Sequence, residues 1–73
     1  MSHRFHVIIQ PEAEGGFSAV VPALPGCASQ GETTEEAMVN IKEAIDLYLE
    51  GLQADQLPIP KDAIQFREVE VTV

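Results

Sequence analysis

The residues of this chain whose types suit chemistry are two histidines, one cysteine, two adjacent glycines and a group of carboxylates. His3 and His6 are three apart on an extended segment, and odd spacing in a strand sends side chains to opposite faces, so the two do not chelate one metal ion. Cys27 is the single cysteine, which excludes an internal disulfide and any metal site built on paired cysteines. A nucleophile-base pair of Cys27 with His6 requires the first and third strands to be neighbours, and the hairpin order places the second strand between them. Cys27 therefore reads as a small buried thiol. Gly15-Gly16 is followed by a strand rather than a helix N-terminus, so it makes a hairpin turn and not a phosphate cradle. Glu36, Glu43 and Glu50 fall seven apart, with Glu35 and Asp46 beside them and Lys42 as the one nearby cation. At 100° per residue this spacing forms an acidic ridge on the outer side of a helix, suited either to solvent or to a small basic protein.

The elements that position these residues follow from periodicity. Arg4 to Gln10 alternates, with Phe5, Val7 and Ile9 on one side and His6, Ile8 and Gln10 on the other, which predicts a half-buried strand. Pro11 is expected to end its ladder, and Gly15-Gly16 to turn the chain into a return strand from Phe17 to Val21. Pro22, Pro25 and Gly26 interrupt pairing before a third strand near Cys27 to Gln30. Thr33 opens a capping box: its hydroxyl accepts from the Glu36 N–H while the Glu36 carboxylate is expected to reach back to the Thr33 N–H. Ala37, Ile41, Ala44, Ile45, Tyr48 and Leu52 then share one helix face, which must cover the sheet. Tyr48 is read as core. Gly51 costs about 1 kcal/mol relative to Ala inside a helix, which predicts a helix end between Gly51 and Ala54.

Arg67 to Val73 alternates again, with Val69, Val71 and Val73 on one side and Glu68, Glu70 and Thr72 on the other. A strand reached through a helix runs most economically parallel to the first by a right-handed crossover. The expected fold class is α+β, in the order β-β-β-α-β, with the first strand central in a small, mostly antiparallel sheet covered on one face by a single helix.

Seventy-three residues are read as one domain, residues 1–73, that buries only about 60% of its unfolded surface and gains from oligomerisation. Four Lys/Arg against twelve Asp/Glu leave a formal net charge of -8, which opposes binding to phosphate backbones and favours a basic partner. The N-terminus lacks the apolar core of a signal peptide and no apolar run reaches a membrane span, so a cytoplasmic location is expected.

The order Gly15-Gly16-Phe17, Val21-Pro22, Leu24-Pro25-Gly26-Cys27, Gln30-Gly31, Thr33 with Glu35-Glu36-Ala37, and Pro58-Ile59-Pro60 closely resembles the HicB-type antitoxins over nearly the whole chain. The resemblance implies a reduced RNase H arrangement. It also implies inhibition in place of catalysis, since the family neutralises HicA-type toxins, small basic ribonucleases that cleave mRNA. Many members carry a C-terminal DNA-binding segment that dimerises; a chain stopping at Val73 resembles a short, stand-alone form without it, which puts promoter binding in doubt. An RNase H-like sheet raises the question of nuclease activity, which needs carboxylates clustered around Mg²⁺, one of them on the first strand. Arg4 to Gln10 has none. Glu12 lies in the turn, and Glu68 with Glu70 reads as a solvated edge. The expectation is a non-enzymatic, cofactor-free homo-oligomer, most simply a dimer, that captures a HicA-like toxin through Glu36, Glu43, Asp46 and Glu50. The alternative is an orphan oligomeric binding or scaffold protein with no toxin.

Overall fold

The computed structural model describes residues 2–73. Three strands, β1 (Ile8–Pro11), β2 (Phe17–Val20) and β3 (Ala28–Gly31), precede one helix, α1 (Thr34–Ala54). The sheet is antiparallel in the order β1-β2-β3. The α+β arrangement, with strands followed by a single covering helix, is as the periodicity implies.

Ladder phase explains where each backbone group points. Glu12 N–H donates to Gly16 O (3.0 Å) and Val21 N–H to Cys27 O (3.1 Å), and each bond continues its strand register by one pair. Antiparallel ladders alternate bonded and non-bonded pairs. Ile8 and Gln10 therefore bond toward β2, whereas Ile9 and Pro11 turn their backbone groups to the outer edge of β1. Pro11 was expected to end the ladder, yet it pairs in register with Phe17. Its missing N–H falls on the unpaired side, where proline costs nothing. The hairpin closes beyond it with Gly15 N–H donating to Glu12 O and with Gly15 and Gly16 at φ 106° and 77°.

Between β2 and β3 two tight turns follow one another, with Leu24 N–H donating to Val21 O and Cys27 N–H to Leu24 O. Pro25 and Gly26 (φ 83°) occupy the centre of the second, the pairing that a type II turn requires. The loop folds Leu24 inward until it is fully buried, joining Ala19, Val21, Cys27, Ala37 and Ile41 in the core. Phe5, Val7 and Ile9 pack against that cluster from the β1 side, and Ala44, Ile45, Tyr48 and Leu49 from α1. Tyr48 is half-buried against the core instead of within it, and its hydroxyl donates to Pro25 O (3.0 Å), tying helix to loop. The opposite sheet face carries Ile8 and a 39% exposed Val20 paired in register.

Helix α1 starts where the capping box places it. Thr33 is extended (φ -127°, ψ 165°), and its hydroxyl accepts from Glu36 N–H (3.0 Å). The return bond is shifted by one residue from expectation: Glu36 Oε1 accepts from Glu32 N–H, not Thr33 N–H (3.0 Å). At the C-terminus Gln56 adopts φ 58°, with Gln56 N–H donating to Gln53 O and Leu57 N–H to Leu52 O. This is a Schellman ending built on glutamine at the position glycine prefers. Gly51 lies inside the last turns rather than at the stop.

The chain beyond the helix departs from the expected fourth strand. Arg67–Val73 forms no ladder, and β1, expected to be central, is an edge strand. Val69 and Val71 are 83% and 79% exposed, and Val73 is fully exposed. What holds the preceding segment is a clip at Asp62. One carboxylate oxygen accepts from His6 N–H and lies 2.8 Å from His6 Nδ1, while the other accepts from Ile64 N–H (3.0 Å). The Phe66 ring meets His6 edge-on at 4.9 Å. The Cα radius of gyration is 14.3 Å, against about 11 Å for a compact chain of this length, which fits a C-terminal arm leaving the body.

Two glycines give opposite outcomes on alanine substitution. A Cβ at Gly31 would lie 2.5 Å from Ala37 N in the first turn of α1, whereas one at Gly51 meets nothing within 4 Å. Gly51→Ala is expected to raise unfolding stability by about 0.5–1 kcal/mol, and Gly31→Ala to lower it by about 1–3 kcal/mol as the helix is forced off the sheet. Urea titrations of the two variants check both signs; a neutral Gly31→Ala would show that the helix start does not rest on β3.

The His6 N–H bond first, and the Ile64 N–H bond second, hold the Asp62 carboxyl below its ordinary range. The folded value being the lower one, the clip's contribution is complete above the unfolded pKa of about 3.9 and disappears as pH falls through the folded value. The Ile64 amide, which donates to the Asp62 carboxylate, should show its carboxylate-linked resonance shift only below about pH 4. In Asp62→Ala that shift should be absent; a transition retained below about pH 4 in that variant would assign the change to another carboxylate.

Candidate binding surface

The outer side of α1 is set by the inner one. Because Ala37 and Ile41 are buried against β2 and β3, residues on the far side of the helix have no intramolecular surface to meet. Glu35, Glu36, Glu43, Asp46 and Glu50 are all exposed there. Their spacing brings Glu36, Glu43 and Glu50 into one row that drifts by only about 20° per seven residues. Val39 (62% exposed) and Leu47 (69% exposed) flank that row. The surface is thus acidic with two exposed apolar side chains in it.

The five carboxylates are not equivalent. Glu36 is engaged by Glu32 N–H in the helix cap. Asp46 Oδ2 accepts from Lys42 Nζ at 3.1 Å, an exposed i,i+4 pair of the kind worth about 0.3–0.5 kcal/mol and easily exchanged for another cation. Glu43 and Glu50 have no ion-pair partner among the described residues, so they are the ones most available to a basic ligand. Glu35 accepts from the Thr34 hydroxyl (3.1 Å), and its carboxyl is held below the ordinary range, first by its own backbone N–H and then by that hydroxyl.

The other chemical candidates separate in space. Cys27 is buried in the core, and burial pushes its thiol up from the usual range, away from the reactive thiolate. The His6 ring is engaged by Asp62 and Phe66. Glu68 and Glu70 lie on the exposed C-terminal arm and Glu12 at the β1-β2 turn. Among the described residues no three His, Cys, Asp or Glu side chains converge in a way that holds a metal ion, and no helix is long and apolar enough to cross a membrane.

A second surface was not legible from sequence. Between the segment leading into β1 and helix α1 an open groove of about 660 Å³ is lined by Phe5, Val7, Met38, Ile41, Ile45 and Leu49, with Arg4, His3, Lys42 and Asp46 around it. It is the inner side of the missing strand position: the side of β1 that the expected fourth strand would have covered. Periodicity names the residues but not the vacancy, because it reports which faces are apolar and not what fills them.

Known proteins bear on these surfaces. Residues 5–70 match the family described as HicB_like antitoxin of bacterial toxin-antitoxin system. A UPF0150 protein of Synechocystis is 42% identical over 71 residues, covering 97% of this chain and 90% of its own. A UPF0150 protein of Thermoplasma acidophilum is 48% identical over 59 residues, covering 81% and 86%. A third, from Helicobacter pylori, reaches 61% identity over 44 residues, or 60% of this chain and 61% of its own. The matched span runs from Phe5 through all three strands and the helix to Glu70 in the arm, and the chain accordingly belongs to the HicB-like antitoxin family.

Proposed function

We propose that this chain is a non-catalytic antitoxin module that binds a small basic HicA-type ribonuclease and blocks its access to mRNA. Membership of the HicB-like antitoxin family over residues 5–70 is the observation that carries this reading. The outer face of α1 supplies a physical means. Glu43, Asp46 and Glu50 provide charge that steers a basic partner, and Val39 and Leu47 provide apolar area that holds it once docked. A net charge of -8 lets the protein meet a basic ribonuclease without competing with it for RNA. The protein works in the cytoplasm, where such a ribonuclease meets its mRNA, and as a homo-oligomer.

Steering acts over a Debye length of about 10 Å near 0.1 M salt, so association with a basic HicA-type ribonuclease should slow as salt rises, more than dissociation quickens. The triple reversal Glu43→Lys/Asp46→Lys/Glu50→Lys should keep the helical circular dichroism of the wild type while reducing the association rate constant by about tenfold or more. Stopped-flow mixing and an RNA-protection assay measure the two steps. Unchanged association in the triple variant would move the docking face off α1. Failure of the wild-type protein to protect RNA would reject the antitoxin reading itself.

The non-catalytic part of the proposal has its own check. Purified protein with Mg²⁺ or Mn²⁺ should leave single-stranded RNA and DNA intact, and Glu68→Gln/Glu70→Gln should behave identically. Metal-dependent cleavage lost in that double variant would place a catalytic site on the arm.

A further inference from the structure

We infer that the C-terminal arm, Arg67–Val73, is the fourth strand of a second copy: two chains exchange arms, each adding its own to the free edge of the other's β1. The inference concerns self-assembly and stands whether or not a toxin is bound.

The β1 edge is the more open of the two sheet edges. On β3 the outward carbonyl of Gln30 accepts from Asn40 Nδ2 at 2.8 Å, so a helix side chain already takes one of that edge's acceptors. On β1 the outward groups of Val7 and Ile9 and the outward carbonyl of Pro11 meet no strand. An unpaired edge of this kind is a template for strand addition. Beneath it lies the groove lined by Phe5, Val7, Met38, Ile41, Ile45 and Leu49.

The arm has the matching properties. Its seven residues, at about 3.3 Å each, equal the stretch from Phe5 to Pro11. Val69, Val71 and Val73 alternate with Glu68, Glu70 and Thr72 and are exposed in the isolated chain. One face of the arm therefore supplies the apolar cover the groove lacks, while Glu68, Glu70 and Thr72 on its other face stay toward solvent.

Exchange between copies follows from how the arm is anchored. A segment tracking β1 in parallel from Asp62 at His6 would advance about 13 Å in four residues and bring Phe66 beside Gln10. Phe66 instead packs on His6 itself, 4.9 Å between ring centroids. The chain has not advanced along its own β1 when the arm begins, so the arm is directed outward. A twofold axis then makes the exchange reciprocal and closes it at two copies.

Light scattering on the full-length protein at about 100 µM, in the micromolar-to-millimolar range where exposed edges associate, should give twice the 7.9 kDa chain mass. Val69→Lys/Val71→Lys should return it to one chain mass with the helical circular dichroism unchanged. Isotope-filtered NMR on mixed labelled and unlabelled chains should show contacts from Val69 and Val71 methyls to Ile45 or Leu49 of the other copy. A wild-type monomer, or valine contacts confined to one chain, would overturn the inference. A dimer that survives the double lysine substitution would also overturn it, and would assign assembly to the opposite sheet face at Ile8 and Val20. Loss of toxin capture has no bearing on any of these readouts, so this inference and the antitoxin proposal fail independently.

Discussion

The close seating of α1 on β3 is the constraint on which the rest of the molecule depends. At Gly31 there is no room for a Cβ, because the backbone of Glu36 and Ala37 comes down onto the strand. That approach lets Ala19, Ala37 and Ile41 bury completely with Leu24 folded in beside them, and it directs Asn40 to the Gln30 carbonyl. A chain of 73 residues has one helix with which to close a core. Seating it over β2 and β3 closes that side and leaves the β1 side open. The acidic outer face and the apolar groove are both consequences: the first is the far side of a helix whose near side is used up, the second is the part of the sheet the helix does not reach.

This division suits a binding protein. Among the described residues the buried set is small and aliphatic side chains with Cys27 and no buried polar side chain, so the core serves as scaffold. Polar and charged groups are displaced to the helix exterior, the β1-β2 turn and the arm. Family membership gives these surfaces a biological direction, toward a toxin partner. The geometry leaves both the outer helix face and the β1 edge without an intramolecular cover, and these are the two surfaces on which the proposals rest.

Sequence reading reached those features that rest on local rules. The Gly15-Gly16 reversal, the break at Pro25-Gly26 and the start of α1 at Thr33 each depend on the conformational freedom of one or two residues or on a side chain reaching three residues ahead, and each is found where expected. Features set by tertiary contact were not legible. Gly31 looks like any strand-end glycine until the helix is placed over it. Pro11 looked like a stop because its lack of an N–H is local knowledge, whereas the side it faces is a property of the sheet. The helix ends at Ala54, inside the range expected from Gly51, but the left-handed residue that closes it, Gln56, was not legible. Arg67–Val73 has the alternation of a strand, and alternation tells how the two faces of a segment differ, not whether its partner lies in the same molecule.

The distinction between a closed body and an outward arm is most directly measured by amide hydrogen exchange in dilute solution, at concentrations low enough to keep the chain monomeric. Exchange by global opening should slow Ala19, Val21 and Ile41, while the Ile9 amide, turned to the open edge of β1, and the Val69 and Val71 amides of the arm should exchange close to the rate of an unstructured peptide. Strong protection of Ile9 together with Val69 and Val71 in the monomer would contradict this account, because it would mean that the arm completes the sheet of its own chain.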